Sequence, residues 1–236
     1  MSMMLDLIEQ YNALSDKEKK ALLIYKSQLG LFINQISDLI TLDGTDIFNN
    51  LSDKTTFYQK YLQYKAIIEK TNNTFIRYSL FSNIDFTNIY AFINSLKQVY
   101  LTLITLKDKI VTKDNLTLYR SYSINKQDQE FTLAPHNLVS TSLNINVCDK
   151  FIIPNLNPVL DIITIPEGTS VLVTPYSIGY KINTDTLSII KNDQQEEVVL
   201  YQDTLKIENI QRKIKDGLII YHIDMVPKKQ LNNIKR

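Results

Sequence analysis

The sequence predicts an α+β fold in which helices come first and strands follow. Three observations carry this. Apolar residues recur at helical spacing through about the first 110 positions. From Leu116 onward the texture changes to short β-branched runs divided by Asn, Asp, Pro and Gly. The chain has only five glycines and no Gly-x-Gly-x-x-Gly. Segregated helices and strands oppose alternating βαβ units, so a dinucleotide-binding parallel sheet is not expected, and any nucleotide has to be held by another design.

The helical part starts with a piece over 3–13. Ser15-Asp16-Lys17-Glu18 then has the form of a capping box, a hydroxyl for the first turn and a glutamate three residues on to reach back. Behind it Leu22, Tyr25, Leu29, Phe32, Ile33, Ile36 and Ile40 predict one amphipathic helix over 16–40, with Gly30 tolerated inside it at about 1 kcal/mol relative to Ala. Phe57, Tyr61, Tyr64 and Ile68 mark a second helix over 54–70, ended by Asn72-Asn73. Asp85 is placed to cap a third, whose stripe is Ile89, Ile93, Leu96, Tyr100 and Leu103. These aromatic stripes read as core.

Strands are predicted over 116–122, 138–144, 159–165, 169–176, 197–201, 204–209 and 217–226. Three of them carry residues that ask for a reason. In Leu116-Thr117-Leu118-Tyr119-Arg120, alternation puts Arg120 on the face of Leu116 and Leu118, where a guanidinium either snorkels out, pairs internally or meets an anion. Ser140-Thr141-Ser142 sets three hydroxyls in an apolar strand, either as ordinary strand residues or as a polar, roomy patch. Asp193-Gln194-Gln195-Glu196-Glu197 runs straight into Val198-Val199-Leu200; in a regular strand Gln195 and Glu197 share a face and Glu196 takes the other, unless a bulge exchanges them.

Length and composition bound the function. At 236 residues the chain suits one domain with a helical portion over 1–110 and a β core over 111–236. With 26 basic against 25 acidic residues the net charge is +1, which opposes a nucleic-acid binder working by bulk electrostatics. The short basic tail Lys228, Lys229, Lys235 and Arg236 reads as a solvated terminus. One cysteine, Cys148, precludes an internal disulfide and a multi-cysteine zinc site, and His136 and His222 are too few and too far apart for a His-based metal site. No apolar run reaches membrane-spanning length. Met1-Ser2-Met3-Met4-Leu5-Asp6 lacks the basic start and apolar core of a secretory signal. The expectation is a protein of the cytoplasm, or one moved by machinery that reads no cleavable signal.

An arginine ending a first strand, then Ser-Thr-Ser, then Gln/Glu-x-Glu before an apolar strand resembles the ADP-ribosyltransferase toxins, C3-like or binary-toxin-like catalytic domains of the Arg, Ser-Thr-Ser, Glu type. Ile163-Thr164-Ile165-Pro166-Glu167-Gly168-Thr169 is similar to that family's strand and Pro-x-Gly-Thr turn. Glu197-Val198-Val199-Leu200 with Thr204-Leu205-Lys206-Ile207 is similar to its closing hairpin, and Tyr25 with Ile33-Asn34 to positions of its first helix. The match spans about 16–226 in the family's order. It implies a single transferase domain over 1–236 with a mostly antiparallel two-sheet core holding an NAD cleft, and transfer of ADP-ribose from NAD to a protein side chain without a metal.

By that resemblance Arg120 grips the NAD phosphates, Ser140 orients the nicotinamide ribose and the catalytic glutamate, and Thr141 and Ser142 shape the pocket. Asn34 joins the NAD-binding set. Glu197 bonds the ribose hydroxyl and stabilises positive charge as the glycosidic bond breaks, while Gln195 faces the target. The chemistry asks independently for these types, since an oxocarbenium-like transition state is stabilised by a carboxylate beside the sugar, and a pyrophosphate is held best by a forked cation. In the family a glutamine at the first position of the pair accompanies non-arginine acceptors, which is the acceptor class expected here.

Three departures stand against the pattern. No arginine occurs in the long segment Asn144–Leu160, where Phe151 is the candidate clamp for the nicotinamide and Lys150 a phosphate contact. Ser121 replaces the glycine that commonly follows the strand arginine. The stretch 176–194 is longer than the usual target-recognition loop, with Tyr180 as its candidate aromatic contact. The partner implied is a host protein, reached through a dedicated secretion system, a binding component or a virus-like vehicle, with a secretion chaperone as a further partner. The other readings are an NAD glycohydrolase and an inactive transferase-like binding module.

Overall fold

The computed structural model describes residues 3–125, 137–153, 156–181, 186–191 and 196–228. In chain order its helices are α1 Met3–Asn12, α2 Asp16–Tyr25, α3 Leu29–Ile36, α4 Gly44–Asn50, α5 Lys54–Lys70 and α6 Ile89–Ile104. The strands are β1 Leu116–Ile124, β2 Leu138–Ser142, β3 Asn157–Ile165, β4 Val171–Val173, β5 Tyr176–Lys181, β6 Thr186–Lys191, β7 Glu197–Tyr201, β8 Leu205–Lys215 and β9 Leu218–Pro227. Helices precede strands, so the α+β class holds. The chain forms two compact units, a helical one of Ile8–Lys109 with Leu172–Asp193 and a sheet one of Met1–Leu7, Ile110–Val171 and Gln194–Arg236.

Within the helical unit, the single helix expected over 16–40 is two helices. Ser27 breaks it: its Oγ donates to the Ile24 carbonyl at 2.5 Å and accepts from the Leu29 amide at 3.1 Å. The chain folds back so closely that a Cβ on Gly30 would lie 2.2 Å from the Tyr25 carbonyl oxygen. Glycine is therefore required there rather than merely tolerated. The expected capping box forms, with both the amide and the hydroxyl of Ser15 donating to Glu18 Oε2. Phe32 of α3 stands edge-on to Phe57 of α5 at 4.9 Å and to Phe92 of α6 at 5.3 Å, so the aromatic stripes are core. The cap of α6 is Asn88, whose Oδ1 accepts from the amides of Tyr90 and Ala91; Asp85 instead holds the amide and hydroxyl of Thr87.

The strand expected over 169–176 stops at Thr174-Pro175, where proline has no amide to donate. The segment beyond it, expected as loop, is the β5–β6 hairpin, the two-stranded sheet of this unit, with Tyr176 opposite Lys191 and Lys181 opposite Thr186. It is tied to the end of α5, since the Leu187 amide donates to Thr71 Oγ1 at 3.3 Å.

The larger sheet has seven strands in the order β4-β7-β2-β1-β3-β9-β8, and the strands β7, β2, β1, β3, β9 and β8 make up the sheet unit's core. β1 is antiparallel to β3 along its whole length, and β2 to β7; β3 and β9 run parallel. One face buries Leu116, Leu118, Val159, Ile163, Ile165, Ile219, Ile223 and Met225. Each fully buried Leu, Ile or Val contributes about 1.5–3 kcal/mol, which holds the sheet against the entropy of ordering it. Asp216 and Gly217, both at positive φ, form the two-residue β8–β9 turn. β8 runs on to Lys215, six residues past the expected end, because pairing with β9 carries a polar segment that shows no alternation of its own. No helix among the described residues is long and apolar enough to cross a membrane.

Candidate functional site

The ladder between β2 and β7 brings the second half of the motif together. Ser142 stands directly opposite Glu197, and Ser140 opposite Val199. Opposed residues share a face, and so do residues two apart, so Ser140, Ser142 and Glu197 lie on one side of the sheet. Ser140 is the diagonal neighbour of Glu197, a relation that separates side chains by about 7–8 Å. Ser140 is exposed, Glu197 half-buried and Ser142 buried.

The three hydroxyls differ in employment. Ser142 Oγ accepts from the Asn144 amide at 2.9 Å and so caps the turn that leaves β2. Thr141 points through the sheet the other way, buried, and its Oγ1 donates to the Val198 carbonyl at 2.6 Å. An exposed hydroxyl and a half-buried carboxylate at a strand end offer a hydrogen-bonding group and a negative charge on one face.

Glu196 interrupts the strand. Its φ is 43°, in the left-handed region, and its carbonyl accepts from the Leu143 amide at 3.0 Å. β7 starts only at Glu197, so strict alternation does not extend back into Glu196. Gln195 itself lies outside the described residues.

Arg120 is not brought to this face. Tyr119 is the residue opposite Ser142, so Arg120 projects from the other side of the sheet, with Thr141. The expectation that the cation at 120, the hydroxyl at 140 and the acid at 197 converge is corrected here. Alternation fixes faces within a strand, but the register between strands decides which residues share a face, and one step of register exchanges them. On its own side Arg120 is opposite Asp161 of β3, and its guanidinium carbon lies 5.0 Å from the centre of the Tyr122 ring. Asp161 is wholly buried, and Tyr122 Oη donates to its Oδ1 at 3.5 Å. Arg120 Nη1 and Asp161 Oδ2 are buried with no hydrogen-bond partner among the described residues. Burial lowers the Arg120 pKa while Asp161 raises it; burial pushes Asp161 up to about 7 against the pull of Arg120. In the sequence, the one signal of this pairing is a lone acid, Asp161, inside the apolar run Val159–Ile165.

The long segment after β2 lies along β1. Ser121 Oγ donates to the Cys148 carbonyl, and the Ile153 amide donates to Ser123 Oγ at 2.7 Å. Ser121, where the family commonly has glycine, therefore anchors the helical turn Ile145–Phe151. Phe151 ends that turn; its side chain and those of Lys150 and Tyr180 lie outside the described residues. Asn34, in the helical unit, accepts from Tyr25 Oη at 3.4 Å through its Oδ1. Among the described residues no group of His, Cys, Asp and Glu could hold a metal ion.

No family model matches the sequence, and no curated protein does. Solved structures do. Over 96% of this chain and 93% of the other, the fold superposes on C3stau2 from S. aureus, solved with NAD, at a TM-score of 0.50 and 15% identity. The chain has the ADP-ribosyltransferase toxin fold. An ADP-ribosyltransferase from Clostridium botulinum covers 93% of this chain and 92% of its own at 13% identity and a TM-score of 0.47. The toxin Plx2a from Paenibacillus larvae covers 96% and 92% at 15% identity and a TM-score of 0.46. In this transferase fold the Ser-Thr-Ser strand and the strand opening at Glu197 are neighbours.

Proposed function

We propose that the protein is a mono-ADP-ribosyltransferase of toxin or effector type that moves ADP-ribose from NAD to a side chain of a host protein. The observation that carries the reading is Ser142 facing Glu197, with Ser140 on the same side, in a transferase fold. As the bond between the ribose anomeric carbon and nicotinamide breaks, nicotinamide leaves with the bonding electrons as a neutral molecule. Positive charge then develops on the sugar, and the Glu197 carboxylate stabilises that charge more in the transition state than in bound NAD. Ser140 hydrogen-bonds the ribose and orients Glu197. The acceptor atom attacks the anomeric carbon and gives up its proton to water.

Gln195 faces the acceptor, and its amide, with no base, favours a non-arginine side chain. Phe151 clamps the nicotinamide. Arg120 stands outside this reading, as a half-buried cation opposite Asp161 on the other face of the sheet. NAD is the substrate, and the residues named include no metal ligand set.

Incubation with labelled NAD and host lysate tests the reading. Labelled protein and free nicotinamide are expected from the wild type, and about a hundredfold to thousandfold less of both from Glu197→Ala. Unchanged labelling in that variant defeats the assignment. Nicotinamide release without labelled protein makes the enzyme an NAD glycohydrolase instead, and neither product makes the chain a binding module.

A further inference from the structure

Glu197 is flanked by two bonds, one from β2 and one from the residue that follows β2. The residue after it, Val198, has its carbonyl taken by Thr141 Oγ1 at 2.6 Å. The residue before it, Glu196, has its carbonyl taken by the Leu143 amide at 3.0 Å. That second bond forms one step beyond the Ser142–Glu197 pair, and the chain meets it at a φ of 43°. A left-handed residue has no strand geometry, so Glu197 is the first residue of the extended strand.

We infer that Glu196 is a positioning residue, and that it acts through its left-handed backbone rather than through its carboxylate. Its conformation lets its carbonyl close the last rung with Leu143, which fixes the Cα of Glu197 and leaves the catalytic carboxylate only its side-chain torsions. The catalytic consequence rests on the transferase reading; the structural one does not.

The experiment uses the full chain with Glu196→Gly, Glu196→Asn and Glu196→Val. Glycine enters the left-handed region freely, asparagine tolerates it, and β-branched valine does not. Expected for Glu196→Gly and Glu196→Asn is a kcat for nicotinamide release within about twofold of wild type. Expected for Glu196→Val is a kcat lower by about tenfold or more with KM for NAD within about twofold, as befits a misplaced group that acts in the transition state. Hydrogen exchange at the Leu143 amide is read in parallel: protected in wild type, Gly and Asn variants, and about tenfold faster in the Val variant. Equal losses in all three variants assign the effect to the carboxylate and overturn the inference. So does a Val variant that keeps both its kcat and its Leu143 protection. If the wild type releases no nicotinamide, the transferase reading fails by itself, and the Leu143 exchange series alone upholds or overturns the role of Glu196 at the strand end.

Discussion

Arg120 and Asp161 face each other across the β1–β3 ladder, each with a buried polar atom that no described residue satisfies. A charged pair in such a place is weak support for stability, because desolvation of both groups opposes their attraction. Here the balance is visible. Burial is the largest influence on Asp161 and outweighs the attraction of Arg120, so its pKa rises from 3.8 to about 7.

That shift sets the pH dependence of folding. A carboxyl whose folded pKa lies above its unfolded value binds the proton more tightly when folded. Its contribution to stability is full below about 3.8 and is lost as pH rises through about 7. Thermal melts of the wild type should therefore lose Tm between about pH 4 and pH 7. Asp161→Asn removes this ionisation and should flatten the profile over the same window. Parallel profiles for the two proteins would place the titration elsewhere.

Ser140 and Thr141 are adjacent yet should fail differently. Thr141→Val deletes a buried hydrogen bond to the Val198 carbonyl, which keeps its place in the β2–β7 ladder, so a loss of about 0.5–1.5 kcal/mol is expected in urea unfolding. Ser140 is exposed, and Ser140→Ala should change stability by less than about 0.5 kcal/mol. It should nonetheless lower kcat for nicotinamide release by about tenfold to a hundredfold. The two effects exchanged between the two positions would mean that the faces of β2 are reversed.

Asn88 and Asp85 distinguish the cap of α6 from the residue the sequence proposed for it. Asn88→Ala removes an acceptor shared by two orphan amides and should cost about 1 kcal/mol in denaturant unfolding. Asp85→Ala releases only the exposed turn at Thr87 and should cost less.

Gly30→Ala runs against helix propensity. Alanine is favoured over glycine within a helix by about 1 kcal/mol, but here its Cβ would meet a backbone carbonyl that cannot rotate aside. The expected outcome is a destabilisation of about 1–3 kcal/mol, read as a lower urea midpoint at unchanged slope.

The residues themselves dictated much of this architecture. The capping box at Ser15 and Glu18, the aromatic stripes of α5 and α6, the Pro166-Glu167-Gly168-Thr169 turn and the apolar strands were legible because each depends on neighbours a few positions away. The break at Ser27 was not, since the Gly30–Tyr25 approach that demands it depends on how the chain folds back. The β5–β6 hairpin escaped for a similar reason. Its strands are short and mixed in polarity, and pairing with each other, together with the tie to Thr71, makes them strands.

The site divides along the same line. That Ser140 and Ser142 share a face follows from the period of a single strand, and the sequence alone determined it. That Glu197 joins them and Arg120 does not is a matter of register between β1, β2 and β7, which only the tertiary structure decided. Register is set by pairings between residues distant along the chain, and a shift of one residue carries every side chain of a strand to the opposite face.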